Sequence, residues 1–221
     1  MNKTAYVTGG RRGIGLAFCL ALLDAGYDVF AIAKSEDRGD LPKQIHYIQC
    51  DLTDECDRRG IFGDRVDVLI NNAGVSYLHP ALELSDAERT QIWQVNYFAA
   101  VDLACQAVRC SCKRVINVTS VSARNGARNI SEYAASKAAL VQWTKCASNE
   151  WAGNGVTVNC ISPGFIQTNM LKIDALNIGR IPFGRVGTPE EVVPLMLLLA
   201  SEGGRYMTGA DYLVDGGWCG R

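Results

Sequence analysis

Closely spaced metal ligands are largely missing from this sequence. It has only two histidines, His46 and His79, and none of its nine cysteines forms a Cys-x-x-Cys pair. Structural zinc sites need such clusters, so we expect no metal site. The uneven number of cysteines favours free thiols that behave as small core residues, as in a reducing compartment.

A strong net charge and a long apolar run are also absent. The formal net charge is −1, which gives no indication of nucleic acid or an anionic membrane as a partner. No apolar run approaches the roughly 18–20 residues of a membrane helix. Residues 1–7 lead directly into a glycine-rich loop, unlike a signal peptide. We therefore expect a cytoplasmic protein that binds neither nucleic acid nor membrane.

What is present is an alternation of strand and helix patterns without a repeat or a linker. Predicted strands cover residues 4–8, 28–33, 45–49, 67–70, 114–118, 156–161 and 210–214. Helical patterns lie between them, including a long helix from 85 to 108 that begins with a capping box. Alternation of this kind builds a parallel sheet. We predict one α/β domain over residues 1–221, a Rossmann-type doubly wound sheet of about seven strands with helices on both faces.

Glycine-rich or polar clusters follow five of the predicted strands. They occupy residues 9–15, 51–52, 71–74, 119–122 and 163–168. The carboxyl ends of parallel strands share one edge, where open α/β sheets bind ligands. In the first cluster, Gly9, Gly13 and Gly15 allow a tight turn and close approach of a pyrophosphate to a helix N-terminus. A glycine-rich turn that serves only packing is the alternative.

The stretch 131–140 predicts the start of another helix, with Ser131 as its cap. Tyr133 and Lys137 are four residues apart and share one helix face. A nearby ammonium lowers the pKa of a phenol and makes it a usable proton donor or acceptor. By itself this spacing is more typical of an ordinary surface pair, and it is the other motifs that favour catalysis.

Together the motifs resemble the short-chain dehydrogenase/reductase family, and most closely its 3-oxoacyl-[acyl-carrier-protein] reductases. The motifs are Thr8-Gly9-x-x-x-Gly13-Ile14-Gly15, Asn71-Asn72-Ala73-Gly74, Ser120, Tyr133-x-x-x-Lys137 and Pro163-Gly164. The resemblance covers essentially the full length. It implies an NADPH-dependent oxidoreductase that reduces a ketone to a secondary alcohol, with a 3-oxoacyl thioester, free or carrier-bound, as one candidate substrate.

The resemblance also implies the role of each site residue. Tyr133 would protonate the carbonyl oxygen, Ser120 would polarise it, and Lys137 would lower the pKa of Tyr133 and bind the nicotinamide ribose. Asn96 would anchor a water that links Lys137 to solvent, with a locally bonded helical Asn as the alternative. The expected cofactor-binding residues are Gly9, Arg11, Arg12, Gly13, Ile14, Gly15, Lys34, Asp51, Leu52, Asn72, Ala73, Gly74, Tyr133, Lys137, Pro163, Gly164, Ile166 and Thr168.

Cations around the second strand predict the choice of cofactor. An NAD enzyme needs a carboxylate after that strand, where this chain has Ala33 followed by Lys34, and Arg11 and Arg12 lie in the glycine loop. Cations without a carboxylate suit a 2′-phosphate. Glu36 and Asp37 follow closely and argue for NAD(H). We predict NADP(H), with NAD(H) as the alternative.

The sequence constrains the oligomeric state, the direction of the reaction and the substrate less strongly. Similar proteins form tetramers, so we expect a homotetramer, with a homodimer as the alternative. Residues 54–67, 110–114 and 169–184 are shorter than in the family, and the last region usually forms a substrate lid. A catalytically silent NADP(H) sensor and an NAD-dependent alcohol dehydrogenase working in the oxidative direction remain alternatives. The complete set of four catalytic residues argues against the sensor.

Overall fold

A parallel sheet forms the centre of the protein. The computed structural model describes residues 2–171 and 178–220. Its strands are β1 (Thr4–Thr8), β2 (Asp28–Ala33), β3 (His46–Gln49), β4 (Val68–Asn71), β5 (Arg114–Val118), β6 (Thr157–Pro163) and β7 (Asp211–Val214). All pairs are parallel, in the order β3-β2-β1-β4-β5-β6-β7. The predicted Rossmann-type sheet is confirmed.

The strand order places the functional clusters at one edge. Val7 of β1 pairs with Ala31 of β2 on one side and with Ile70 of β4 on the other. The chain moves outward to β3 from β1, then returns to β4 and continues in the opposite direction. Such a reversal opens a crevice at the carboxyl ends of the strands, and ligands of open α/β sheets bind there.

Helices connect the strands and cover both faces. They are α1 (Gly13–Asp24), α2 (Glu55–Arg58), α3 (Asp86–Trp93), α4 (Ala99–Arg109), α5 (Ser131–Trp151) and α6 (Val193–Ala200). On one face, Phe18 of α1 and Met196 of α6 are fully buried in a core with strand residues. On the other face, Leu103 of α4 and Ala147 of α5 fill a second core. Burying a side chain such as Leu103 contributes about 1.5–3 kcal/mol.

The predicted long helix forms, but an irregular turn interrupts it. Glu88 N–H donates to Ser85 Oγ at 3.3 Å, and Ser85 N–H donates to the Glu88 carboxylate at 3.0 Å, so the capping box is confirmed. Between α3 and α4, residues Gln94–Phe98 form a π-helical turn. Turns of this type occur mostly as single bulges within helices, frequently at functional sites. Asn96 lies in this one.

Side chains, rather than a full helix, close the short connection before β4. Arg58 of the four-residue α2 is buried, and it donates to Asp102 of α4 at 2.9 Å and to the Leu52 carbonyl at 2.7 Å. The Phe62 ring packs edge-on against Tyr6, with the ring centroids 4.9 Å apart. These contacts cover apolar surface on this face of the sheet.

The beginning of α5 differs from expectation. Ala134 N–H already donates to the Ile130 carbonyl at 2.8 Å, so the chain is helical from Ser131 and the cap position belongs to Ile130. The prediction of Ser131 as the cap is therefore wrong. In the expected lid region, residues 172–177 lie outside the described residues. Within residues 2–171 and 178–220, no helix is long and apolar enough to cross a bilayer.

Candidate active site

The side chains expected to be catalytic come from three elements and meet at the carboxyl edge of the sheet. Ser120 follows β5, Asn96 lies in the π-helical turn, and Tyr133 and Lys137 lie on α5. Lys137 Nζ is 5.9 Å from the centroid of the Tyr133 ring. A β-carbon built on Gly74 would lie 3.4 Å from Lys137 Nζ and 3.5 Å from Asn96 Oδ1. The predicted set is therefore brought together in space.

Asn96 joins the loop after β4 to the start of α5. Its Oδ1 accepts the Val75 N–H at 2.9 Å, and its Nδ2 donates to the Val75 carbonyl at 3.0 Å and to Ser136 Oγ at 3.1 Å. Val75 and Ser136 are distant in sequence, so the alternative of a local bond is wrong. Both amide hydrogens are used within the protein, so a water bound by Asn96 would have to donate to one of its oxygens.

Ser136 is a site residue that the sequence analysis missed. It is fully buried, and its hydroxyl accepts from Asn96 and donates to the Tyr133 carbonyl at 2.7 Å. Its position in the sequence could have identified Ser136 as a site residue, because it immediately precedes Lys137 and lies three residues after Tyr133 on the same helix. Ser136 thus fixes Asn96 relative to the helix that presents Tyr133.

The protonation of Lys137 and Tyr133 is controlled by burial. Lys137 is 3% exposed, its Nζ donates to the Val118 carbonyl at 2.8 Å, and burial lowers its pKa to about 8. Burial raises the pKa of the Tyr133 phenol, and a hydrogen bond with Ser120 lowers it in part. The net shift of the phenol is upward and comes from burial and Ser120, so a lowering of the Tyr133 pKa by Lys137 stays a prediction.

The glycine-rich turn forms a close cradle between β1 and α1. Gly9 and Gly13 have φ of +66° and +56°, values that favour glycine. A β-carbon on Gly15 would lie 2.2 Å from the Gly9 carbonyl oxygen and 2.5 Å from Asn72 Nδ2. The free N–H groups at the start of α1 face this turn and suit an anion. The cradle has the close backbone approach that a pyrophosphate site needs, and binding of the pyrophosphate there stays a prediction.

The neighbouring loops are tied to this cradle. Thr8 Oγ1 accepts the N–H groups of Asn72 and Ala73, both at 3.0 Å, which joins the ends of β1 and β4. A methyl group of Thr168 would lie 3.2 Å from a β-carbon on Gly13. The predicted residues at 72–73 and 168 therefore lie beside the glycine turn.

The loop after β6 is held by β7. Gly164 N–H donates to the Val214 carbonyl at 2.9 Å, and a β-carbon on Gly164 would lie 2.7 Å from Asp215 Cα. Further along, Ile166 is buried and forms a β-bridge with Gly187. Pro163 is the last residue of β6. The loop that the resemblance places against the nicotinamide is thus fixed at several points.

The cations expected to bind a 2′-phosphate are not free of carboxylates. Arg11 Nη2 lies 2.9 Å from Asp37 Oδ2, and Lys34 Nζ lies 2.7 Å from Asp51 Oδ2. Arg12 is exposed and makes no ion pair with any described residue. Folding thus brings Asp37 and Asp51 to two of these cations, although no carboxylate directly follows β2. In the described part of the chain, Arg11 Nε is buried without a hydrogen-bond partner.

The cysteines and the metal-ligating residue types form no further site in the described residues. All nine cysteines are free thiols, and Cys19 and Cys160 are buried in the core as predicted. Burial raises the pKa of both thiols to about 12. Across residues 2–171 and 178–220, no three His, Cys, Asp or Glu side chains are grouped so as to hold a metal ion.

Comparison with known proteins gives consistent relatives. The profile of the short chain dehydrogenase family matches residues 3–176. A 2-dehydro-3-deoxy-D-gluconate 5-dehydrogenase of Pseudoalteromonas atlantica is 34% identical, over 100% of this chain and 97% of the relative. A 3-oxoacyl-[acyl-carrier-protein] reductase of Vibrio cholerae is also 34% identical, over 98% and 97%. The first alignment spans 246 positions, so that relative has residues that this shorter chain lacks.

Solved structures agree with the sequence relatives. One, from Beutenbergia cavernae, is described as an NAD(P)-dependent gluconate 5-dehydrogenase with NADP bound at low occupancy. It has a TM-score of 0.93 and 32% identity, covering 99% of this chain and 97% of that one. A short-chain dehydrogenase/reductase of Mycobacterium marinum has a TM-score of 0.92 and 32% identity, over 98% and 95%. Sequence and fold together establish that this chain belongs to the short chain dehydrogenase family.

Proposed function

We propose that this protein is an NADP(H)-dependent carbonyl reductase that converts a ketone to a secondary alcohol. The observation that carries the proposal is the grouping of Ser120, Tyr133 and Lys137 at the sheet edge that also holds the glycine cradle. A silent nucleotide sensor needs the cradle but has no use for this proton-donating group. The NADP found in a structural neighbour agrees with the cofactor expected from Arg11, Arg12 and Lys34.

The cradle and the cations would hold the cofactor. Gly9, Gly13 and Gly15, with the first N–H groups of α1, would receive the pyrophosphate. Arg11 and Lys34 would lie at the adenosine end, where a 2′-phosphate needs cationic donors. When bound, a reduced nicotinamide supplies the hydride for carbonyl reduction.

The chain's own residues control the proton and the polarity of the carbonyl. The raised pKa of Tyr133 keeps the phenol protonated at neutral pH, so it holds the proton that the carbonyl oxygen receives. The Ser120 hydroxyl is a second donor to the same oxygen and stabilises the negative charge that develops there. Below about pH 8, Lys137 carries a positive charge behind Tyr133 and stabilises a phenolate once the proton has left.

The substrate is tested with two families of ketone, matching the two named groups of relatives. The panel contains short 3-oxoacyl thioesters and keto forms of sugar acids, each with NADPH and with NADH, and the loss of reduced cofactor is followed. We expect turnover with at least one family and a preference for NADPH. Tight NADPH binding without turnover on either family would favour the sensor. Turnover confined to a parallel assay of the corresponding alcohols with NAD⁺ would favour the oxidative dehydrogenase.

Lys137 gives the reaction a defined pH dependence. Its lowered pKa means that the ammonium is lost as pH rises through about 8. Because kcat/KM reports groups of the free enzyme, kcat/KM for NADPH should be level below this pH and fall up to about tenfold per unit above it. Arginine stays charged in this range, so Lys137→Arg should displace the fall to higher pH. An unchanged midpoint in this variant would contradict the assignment.

We also propose a homotetramer in the cytoplasm. Phe98, Leu198 and Tyr206 are large apolar or aromatic side chains that are 49%, 42% and 99% exposed on the single chain, and such side chains are typical of subunit interfaces. Nine free thiols suit a reducing compartment. Sedimentation velocity tests the assembly, and a monomer at micromolar concentration would contradict it.

A further inference from the structure

The loop after β2 folds onto the guanidinium of Arg11. Arg11 Nη2 donates to Asp37 Oδ2 at 2.9 Å, and the other carboxylate oxygen of Asp37 accepts the Gly39 N–H at 2.8 Å. Gly39 has a φ of +63°, and a β-carbon there would lie 3.3 Å from Arg11 Nε. The carboxylate thus accepts one hydrogen bond from Arg11 and one from Gly39, beside a residue of the predicted phosphate-binding turn.

This ion pair leaves the guanidinium poorly satisfied. Arginine has five N–H donors in a planar fork that matches the oxygens of a phosphate. Asp37 engages the fork through one oxygen only, and in the described part of the chain the buried Arg11 Nε has no partner. Asp37 is 73% exposed in its side chain, so it can move away without disturbing the core. This geometry would allow a phosphate to replace the Asp37 carboxylate at Arg11.

The position of Arg11 indicates which ligand would replace the Asp37 carboxylate. Arg11 lies between Gly9 and Gly13 in the cradle and is close to the loop that follows β2. In the proposed function, the adenosine 2′-phosphate of NADP(H) would be bound at this end of the site, beside the loop after β2. An exposed carboxylate that binds the same cation competes with the 2′-phosphate. The carboxylate also repels the phosphate because both are negatively charged. The same carboxylate has no such effect on NAD(H), which has a hydroxyl at this place.

We propose that Asp37 is an internal competitor for the 2′-phosphate: it occupies Arg11, weakens the binding of NADP(H) and reduces its preference over NAD(H). This inference rests on the proposed function, because it takes NADP(H) as the ligand. It assigns to Asp37 a role in cofactor specificity opposite to that of the cations around it.

The test compares Asp37→Asn with Glu36→Gln. The asparagine keeps the size of the side chain and an oxygen for Gly39 N–H but removes the charge. Glu36 is exposed and makes no ion pair with the described residues, so Glu36→Gln removes the same charge one residue away. NADPH and NADH are titrated by fluorescence, and 2′,5′-ADP and 5′-ADP by calorimetry, on the full chain.

We expect Asp37→Asn to bind NADPH and 2′,5′-ADP about fivefold more tightly, the range of an exposed ion pair. NADH and 5′-ADP should change by less than about twofold, as should all four ligands with Glu36→Gln. Unchanged or weaker NADPH binding in Asp37→Asn would overturn the inference. So would weaker NADH binding in that variant, since Asp37 would then be a ligand of the ribose.

A double-mutant cycle separates competition at Arg11 from general repulsion. In an Arg11→Ala background, Asp37→Asn should improve 2′,5′-ADP binding by less than about twofold, because there is no longer a cation to release. An equal improvement in both backgrounds would overturn competition at Arg11. If the unaltered protein binds neither NADPH nor NADH, both this inference and the proposed function fail. If it binds NADPH but Asp37→Asn has no effect, only the inference fails.

Discussion

Replacing Tyr133 with phenylalanine should reduce kcat for ketone reduction by about 10³-fold while changing the Kd of NADPH by less than about twofold. General acid catalysis contributes roughly 10²–10⁴ to a rate, and phenylalanine removes the proton donor while keeping the ring. The ring beside Lys137 and the helix that supports it remain in place. Cofactor binding depends mainly on the glycine cradle and the cations, and it should therefore survive.

The measurement is steady-state turnover on the best ketone of the panel, with NADPH titrated by fluorescence on the same preparation. Tyr206→Phe is the matched control, because Tyr206 is 99% exposed and loses the same hydroxyl outside the site. Its kcat should equal that of the unaltered enzyme. A Tyr133→Phe variant that retains more than about a tenth of kcat would exclude Tyr133 as the main proton donor.

The second large effect is expected for Gly15→Ala. A β-carbon at this position would lie 2.2 Å from the Gly9 carbonyl oxygen, far inside van der Waals contact. Backbone cannot yield as a flexible side chain does, so β1 and α1 must move apart. Overpacking a close-packed site destabilises by about 1–3 kcal/mol, and we expect the upper end here. The same movement should abolish NADPH binding by opening the cradle.

Urea unfolding and NADPH titration measure the two consequences. Gly126→Ala is the control, because a β-carbon on Gly126 meets no atom of the described residues within 4 Å. It should unfold at the same urea concentration as the unaltered protein and bind NADPH normally. Normal stability and binding in Gly15→Ala would mean that the close approach of these backbones is not required.

The sequence was informative wherever a pattern reflects backbone geometry. Alternating strands and helices determine a parallel sheet, and Gly9, Gly13 and Gly15 reveal a turn with no room for side chains. The spacing of Tyr133 and Lys137 requires only that the stretch be helical, which it is. These features depend on local propensity and on a few steric rules, so one sequence is enough to read them.

Features that depend on tertiary contacts could not be predicted from the sequence. The attraction between Lys137 and Tyr133 could be argued from spacing, but the burial that raises the pKa of the phenol comes from the whole fold. The charges near β2 are visible in the sequence but their pairing is not, so the ion pair of Asp37 with Arg11 could not be predicted. The π-helical turn was also not predicted. Its Asn96 is held by Val75 and Ser136, which are distant in the sequence.

The π-helical turn has a consequence for how this protein can tolerate changes in length. A π turn contains more residues than an α turn, and each residue of a helix advances it by about 100°. Deleting one residue within Gln94–Phe98 would allow a continuous α-helix from α3 to α4, because the π turn takes up one residue more than an α turn. The wide turn in which Asn96 contacts Val75 and Ser136 would then be lost, even though the identity of Asn96 is unchanged. At this place the count of residues, as much as their chemistry, specifies the site.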